Sequence, residues 1–545
     1  MCLAVPNDQA AGIFGFAEFV QAFALLVLIF TVSEVRIRFR IETAPIPLWK
    51  VTFVVSAFIG AACLITDFWF ARNYPLPLFL PSRAGLQTLL GSLFLFMVLT
   101  WLWFAFVNPP KFGRLNARNF TRTLYRYLLQ GAESDLPFVA TELGRSARTI
   151  IKFAREYPHP ARSPSEQMRA EHYANDILLL IAIRKFCRHI IASAPGTAIS
   201  FFREMSSQEK YRLPIGQFAT NISTEALLNK DSLIYHETEG YYSGFFGYVR
   251  PFTHAVYGDF RLVEALSQGN SPLDVDLDVR WHFDSDQLKA YTRAVLTTFK
   301  GALDERGFHN HSFALNRAFD VIGHSSSDLH RLNDLPSGPE SEDIRERLQV
   351  AVDFVNKAIT LIENYGVQKT RMRRHDPSYH WRSDYYDHLA NLMFEIIQHA
   401  AWVKIRGSLS WTIQHNIVWS QFFSHHDTKT RSIILFKLRR LLYEEILSIE
   451  KGPHFANAPI LGFLLNVLGV KLGQKRRYAP GEYQLAKVVI SWASRKYLWL
   501  VKRNAKVAAA VLIGTISFDA KRKQLVKTYI AGLNKKAPTD TLTLQ

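Results

Sequence analysis

Three stretches decide the architecture: residues 11–32, AGIFGFAEFVQAFALLVLIFTV; residues 51–70, VTFVVSAFIGAACLITDFWF; and residues 86–107, LQTLLGSLFLFMVLTWLWFAFV. Each is predominantly apolar. At about 1.5 Å per residue, a run of this length reaches across a hydrocarbon core of about 30 Å. The sequence therefore predicts three transmembrane helices within residues 1–107. The first run does not read as a cleaved signal, because no Lys or Arg precedes it and Arg36, Arg38 and Arg40 follow it.

The basic residues predict an orientation. None lies before the first run, and Arg36, Arg38, Arg40 and Lys50 follow it. Only Arg72 and Arg83 lie between the second and third runs, and Lys111, Arg114, Arg118, Arg122 and Arg126 come after the third. Basic excess marks the cytosolic side. The expectation is an inner-membrane protein with its N-terminus outside and its bulk in the cytosol. The net charge of +18 points to a polyanionic partner, with anionic lipid ranked ahead of nucleic acid because the chain carries its own apolar spans. Cys2, Cys63 and Cys187 are too few and too scattered for a disulfide framework or a metal site.

Beyond the spans, the pattern is mainly α, a large helical cytosolic domain with a few short strands. Composition divides it into residues 108–330 and a basic, helical 338–545, joined by a linker from Arg331 to Ser341. Residues 236–260 interleave aromatics with glycines, which predicts an irregular loop serving as a binding surface or as a packed hub. Asp274 to Phe283 alternates polar and apolar residues, the pattern of a half-buried strand. Asp284 or Ser285 then caps a helix running to about Arg306. Ser337 and Glu340 have capping-box spacing. They precede the apolar seam Ile344, Leu348, Ala351, Val355, Ala358 and Ile362. The apolar run 458–470 is too short to span and reads as core or as a membrane-surface segment.

Chemistry-bearing residues fall into four groups. Glu18, Gln21, Asp67, Arg72 and Gln87 are polar groups in or beside the spans, where an ionisable side chain is a functional candidate by default. They are ion-pathway candidates, with structural pairing as the alternative. Arg114, Arg118, Arg122 and Arg126 recur every fourth residue just past the third span. That spacing places them on one helix face, suited to contact with anionic headgroups. Asp384, His388, Asn391, Glu395 and His399 fall within an arc of about 80° at about 100° per residue. Such a stripe is a candidate acid–base or metal face, and equally an ordinary amphipathic surface. His309 and His311 form a His-x-His pair, a weak metal signal without a third ligand. No GxGxxG, Walker, GxSxG or CxxC pattern occurs, and no cofactor is predicted.

The functional expectation is a multi-pass membrane protein with a cytosolic sensing or partner-binding domain. It is expected to be a homo-oligomer that forms or gates an ion pathway, and a protein partner is a further possibility. The alternative is a membrane-tethered hydrolase or nuclease using Asp384, His388, Glu395 and His399.

Overall fold

The computed structural model describes residues 3–4, 14–32, 34–72, 74, 76–77, 83–156, 170–237, 242–243, 247–248, 251–267, 270–306, 312–368, 370, 383–405, 408–423, 428–452, 457–479, 481–529 and 537–545. The fold is mainly helical with a few short strands. It divides into two compact units, Met1–Phe218 and Ala219–Gln545.

In the first unit, β1 (Leu3–Ala4) pairs antiparallel with β2 (Leu76–Pro77). The helices are α1 (Phe16–Val32), α2 (Val35–Glu42), α3 (Leu48–Ala71), α4 (Arg83–Leu102), α5 (Ala117–Gln130), α6 (Leu136–Phe153), α7 (Ala170–Leu180), α8 (Arg184–Ser193) and α9 (Pro195–Ser207). Helix α4 runs on through a π turn, Trp103–Val107, and α10 (Gly216–Leu228) crosses the unit boundary.

Of the three expected spans, two have the full length and the first falls short. Helix α1 has 17 residues and rises about 25 Å, short of a core of about 30 Å. It starts at Phe16 because its first free N–H is captured: Phe16 N donates to the Asp67 carboxylate at 2.9 Å. Among the described residues, two helices are long and apolar enough to cross a membrane: α3, and α4 with its π turn, of 24 and 25 residues. Helices α1, α3 and α4 pack through Phe19, Leu26, Ile59, Cys63, Leu90, Phe94 and Met97. Gly60 makes this approach possible, since a Cβ there would stand 2.6 Å from the Phe19 ring.

The second unit opens with α11 (Leu233–His236), the short antiparallel pair β3 (Tyr242–Ser243) and β4 (Gly247–Tyr248), α12 (Pro251–Tyr257) and α13 (Phe260–Leu266). Phe252, Tyr257 and Phe260 are buried, so these aromatics form part of a packed hub. The side chains of residues 241–248 lie outside the described residues.

Asp274 to Phe283 is not a strand. Leu277–Arg280 forms a short helix, α14. The aspartates override the alternation by acting as local caps: the Asp276 carboxylate accepts from Asp278 N at 3.2 Å, and Asp274 accepts from Ser271 N at 2.8 Å. Helix α15 (Ser285–Arg306) begins as the sequence predicts: Gln287 N donates to the Asp284 carboxylate at 2.8 Å, and Asp284 N donates to Gln287 Oε1 at 3.0 Å.

Next come α16 (Phe313–His324), a 3-10 turn (Ser327–Asn333) and α17 (Pro339–Tyr365), whose predicted apolar seam is buried. Its cap differs from the expected Ser337–Glu340 box. Gly338 is the N-cap, Pro339 follows it, and Gly338 N donates to Ser341 Oγ at 3.0 Å. The segment expected as a linker is tied down: Leu332 and Ser341 are buried, and Asn333 Nδ2 donates to the Trp402 carbonyl at 2.9 Å.

The remainder comprises α18 (Tyr385–Ala401), α19 (Ser408–Trp411), a π segment (Thr412–Trp419), α20 (Ser420–Phe422), α21 (Lys429–Lys451), α22 (Ala458–Leu468), α23 (Glu482–Arg503) and α24 (Ala505–Ala510). Every residue of α22 is buried, which makes it core rather than a membrane-surface segment. The C-terminal region, expected to be helical, ends instead in an antiparallel sheet of β5 (Ile516–Asp519), β6 (Gln524–Thr528) and β7 (Thr539–Thr543) in the order β5-β6-β7. Residues 524–528 alternate half-buried and buried positions, a strand period masked by their lysine content.

Candidate functional site

Two polar stripes face each other in the second unit. On α18, His388, Asn391 and Glu395 line a cleft of about 380 Å³, and on α16 it is lined by Asn316, Arg317 and Asp320. Phe313, Phe319 and Leu392 supply its apolar surface. Asn316, Asp320 and His324 recur at i, i+4 and i+8, so one face of α16 is polar where it meets α18.

Glu395 dominates the electrostatics. Burial, reinforced by the Asp320 charge, pushes its carboxyl up to about 7. A carboxyl poised there can donate or accept a proton near neutrality. Gly323 permits this placement, because a Cβ there would collide with the Glu395 carboxyl. Arg317 is held by Asp274 at 3.0 Å and donates to the Ser267 carbonyl, so its position is fixed from outside the cleft.

His399 lies one turn beyond Glu395. Its Nδ1 is 3.0 Å from Ser326 Oγ, and its ring stands 6.4 Å from that of His324. Burial, then the His324 neighbour, push His399 down to about 4, which keeps the imidazole neutral. His388 packs among Phe319 and Tyr385, each ring centroid 6.4 Å away.

Asp384 does not share the cleft. It is the N-cap of α18, accepting from Asp387 N at 2.9 Å. Thr370 Oγ1 also donates to it, and Lys437 Nζ lies 3.6 Å away. Fully buried Lys437 donates to Asp387 at 2.7 Å. Asp384 is thus part of a buried structural pair. His309 and His311 lie outside the described residues. Among the described residues, no group of three or more His, Cys, Asp and Glu converges to hold a metal.

The polar residues of the apolar helices gather at one end of the bundle. Glu18 accepts from Gly15 N at 2.9 Å, and Asp67 accepts from Phe16 N and, at 3.3 Å, from Gln87 Nε2. Arg83, which the sequence marks only as a loop charge, reaches Asp67 at 3.7 Å. Arg72 lies over the Phe68 ring at 5.8 Å, and Gln21 is exposed.

A third cluster was missed in the sequence. Glu142, on α6, receives Arg36 Nε at 2.8 Å and Arg40 at 2.7 Å, with Arg145 at 3.5 Å. Burial alone would raise the Glu142 carboxyl, but the bonds from Arg40 and Arg36 outweigh it and hold it below the usual range. Arg40 also donates to the Ala105 carbonyl at 2.7 Å. Positions 109 and 110, where an α or π turn would supply the donor, are both proline and have no N–H.

Arg118, Arg122 and Arg126 share the outer face of α5, and Arg114 lies in the turn before it. All four are exposed, with Leu115, Tyr125 and Leu129 exposed among them. Arg126 pairs with Glu42, and Arg114 lies over the Phe153 ring at 5.8 Å. The chain matches no family model, no curated protein and no solved structure.

Proposed function

We propose that this is a multi-pass membrane protein whose helical cytosolic part binds a ligand or partner. One observation carries the anchor. Helices α3 and α4 leave large apolar side chains mostly exposed, among them Phe53, Phe58 and Phe96 at 64, 63 and 70% exposure. A continuous bare apolar band is stable only against lipid or another apolar surface. Helix α1 completes the bundle as a third, shorter crossing, its ends reaching the headgroups through local thinning. The asymmetry of Arg and Lys supports an N-terminus outside and a large domain in the cytosol of an inner membrane. Arg114, Arg118, Arg122 and Arg126 then lie beside anionic headgroups.

The anchor assembles as a homo-oligomer. Within one copy, Glu18, Asp67 and Gln87 are engaged at the bundle end, so an ion path would run between copies. Alkaline carbonate extraction tests the anchor: the protein stays in the pellet and leaves it only with detergent. Release into the supernatant by carbonate alone contradicts it.

The Glu395 cleft favours a second reading, acid–base catalysis on a cytosolic substrate by a membrane-tethered hydrolase. Loss of turnover of a bound ester or phosphodiester in Glu395→Gln, with binding retained, would support it. Unchanged turnover would remove it.

A further inference from the structure

At the opposite end of the bundle from Glu18 and Asp67, an apolar slot of about 220 Å³ opens between α1, α2, α3 and α4. Phe23, Val27, Thr31, Trp49, Phe53 and Trp101 line it. Indole rings favour the membrane–water boundary, where one end of a ligand is apolar and the other wet.

One wall of the slot carries a cation. Arg38 donates to the Thr31 carbonyl at 2.6 Å, which fixes its guanidinium beside the slot, and its buried Nε has no hydrogen-bond partner among the described residues. Lys50 follows Trp49 in the chain, is exposed, and has no ion pair among the described residues. Glu142 is committed to Arg36 and Arg40, and Glu42 pairs with Arg126 while also feeling the Arg38 charge. Exposed Glu34 is the one other nearby carboxylate on this connection.

We infer that the slot holds an acyl chain of one anionic phospholipid, with its phosphate at Arg38 and Lys50. The inference rests on the membrane reading. An apolar cavity beside a guanidinium held at its wall, with one N–H unspent among the described residues, matches a molecule that is apolar at one end and anionic at the other. A zwitterionic lipid matches the cavity but not the charge.

The test uses the full-length protein purified from bilayers mixing phosphatidylglycerol and phosphatidylcholine, read by native mass spectrometry. One phosphatidylglycerol per chain should be retained in preference to phosphatidylcholine. Arg38→Gln with Lys50→Gln should lower that retention by about tenfold or more and abolish the preference. Thr52→Phe, which fills the slot, should lower retention of both lipids. Lys50→Gln alone, at an exposed site, leaves the fold intact and should weaken the preference. Equal retention of the two lipids by the wild type, or unchanged retention in these variants, overturns the slot. A chain that stays in solution without detergent overturns the membrane reading itself.

Discussion

Arg40 and Glu142 meet at 2.7 Å with side chains only 8 and 4% exposed, tying the connection after α1 to helix α6. The same guanidinium satisfies the Ala105 carbonyl in the π turn that continues α4. One arginine therefore fixes three chain segments. Glu142→Gln leaves Arg40 buried against an uncharged partner. It should destabilise the first unit by about 3–5 kcal/mol. Arg145→Gln, which removes a half-exposed partner at 3.5 Å, should change stability by less than about 1 kcal/mol. Thermal unfolding in detergent distinguishes the two. Equal effects would mean that Arg40 is satisfied without Glu142.

A second buried cation sits at the start of α18. Lys437 is fully buried between Asp387 and Asp384. Burial and the Asp384 charge push the Asp387 carboxyl up, and the Lys437 bond draws it back. Lys437→Met leaves both carboxylates without their cation. A loss of about 3–5 kcal/mol is expected in urea unfolding, partly recovered by adding Asp387→Asn. No recovery in the double variant would show that Lys437 acts through packing alone.

The cleft should give opposing pH dependences. The folded Glu395 carboxyl, at about 7, lies above its ordinary 4.5. Its contribution is fully present below pH 4.5 and is lost as pH rises to 7, because the unfolded chain ionises first. His399 is depressed from 6.5 to about 4, so its contribution is present above pH 6.5 and lost as pH falls toward 4. Glu395→Gln should therefore raise stability at pH 7 relative to pH 4.5, by no more than about 3 kcal/mol. His399→Asn should flatten the acid limb instead. Parallel pH profiles for wild type and Glu395→Gln would place that carboxyl near its ordinary value.

Close packing of the apolar bundle can be probed at two glycines. A Cβ at Gly60 would stand 2.6 Å from Phe19, whereas one at Gly91 would stand 3.3 Å from Phe14. Gly60→Leu should cost about 1–3 kcal/mol through overpacking. Gly91→Ala should cost less, since its neighbour need shift only slightly. Thermal unfolding in detergent checks the order, and the reverse order would mean that α1 packs elsewhere.

What the sequence revealed follows physical range. The α15 boundaries and the α17 seam were legible because capping and helical period are local. The strand expected at Asp274 to Phe283 failed because alternation cannot distinguish a pleated edge from aspartates capping turns. The terminal sheet was hidden because Lys527 looks like a surface residue. It is in fact buried, 4.8 Å from the rings of Trp411 and Tyr529, and donates to the Asn466 carbonyl.

The α18 stripe was visible as His388, Asn391 and Glu395, but its partners on α16 were not, because they depend on how two helices pack. A scan for Asn316, Asp320 and His324 at i, i+4 and i+8 would have found that facing stripe. Glu142 carried no signal, because its partners lie 102 and 106 positions away.

The most direct measurement is labelling of intact cells with a membrane-impermeant maleimide. Three sites suffice: the native Cys2, Tyr74→Cys between α3 and α4, and Leu115→Cys before α5. With three crossings and the large domain inside, Cys2 and position 74 label from outside, and position 115 labels only after permeabilisation. Labelling of position 115 in intact cells contradicts the anchor and its orientation together.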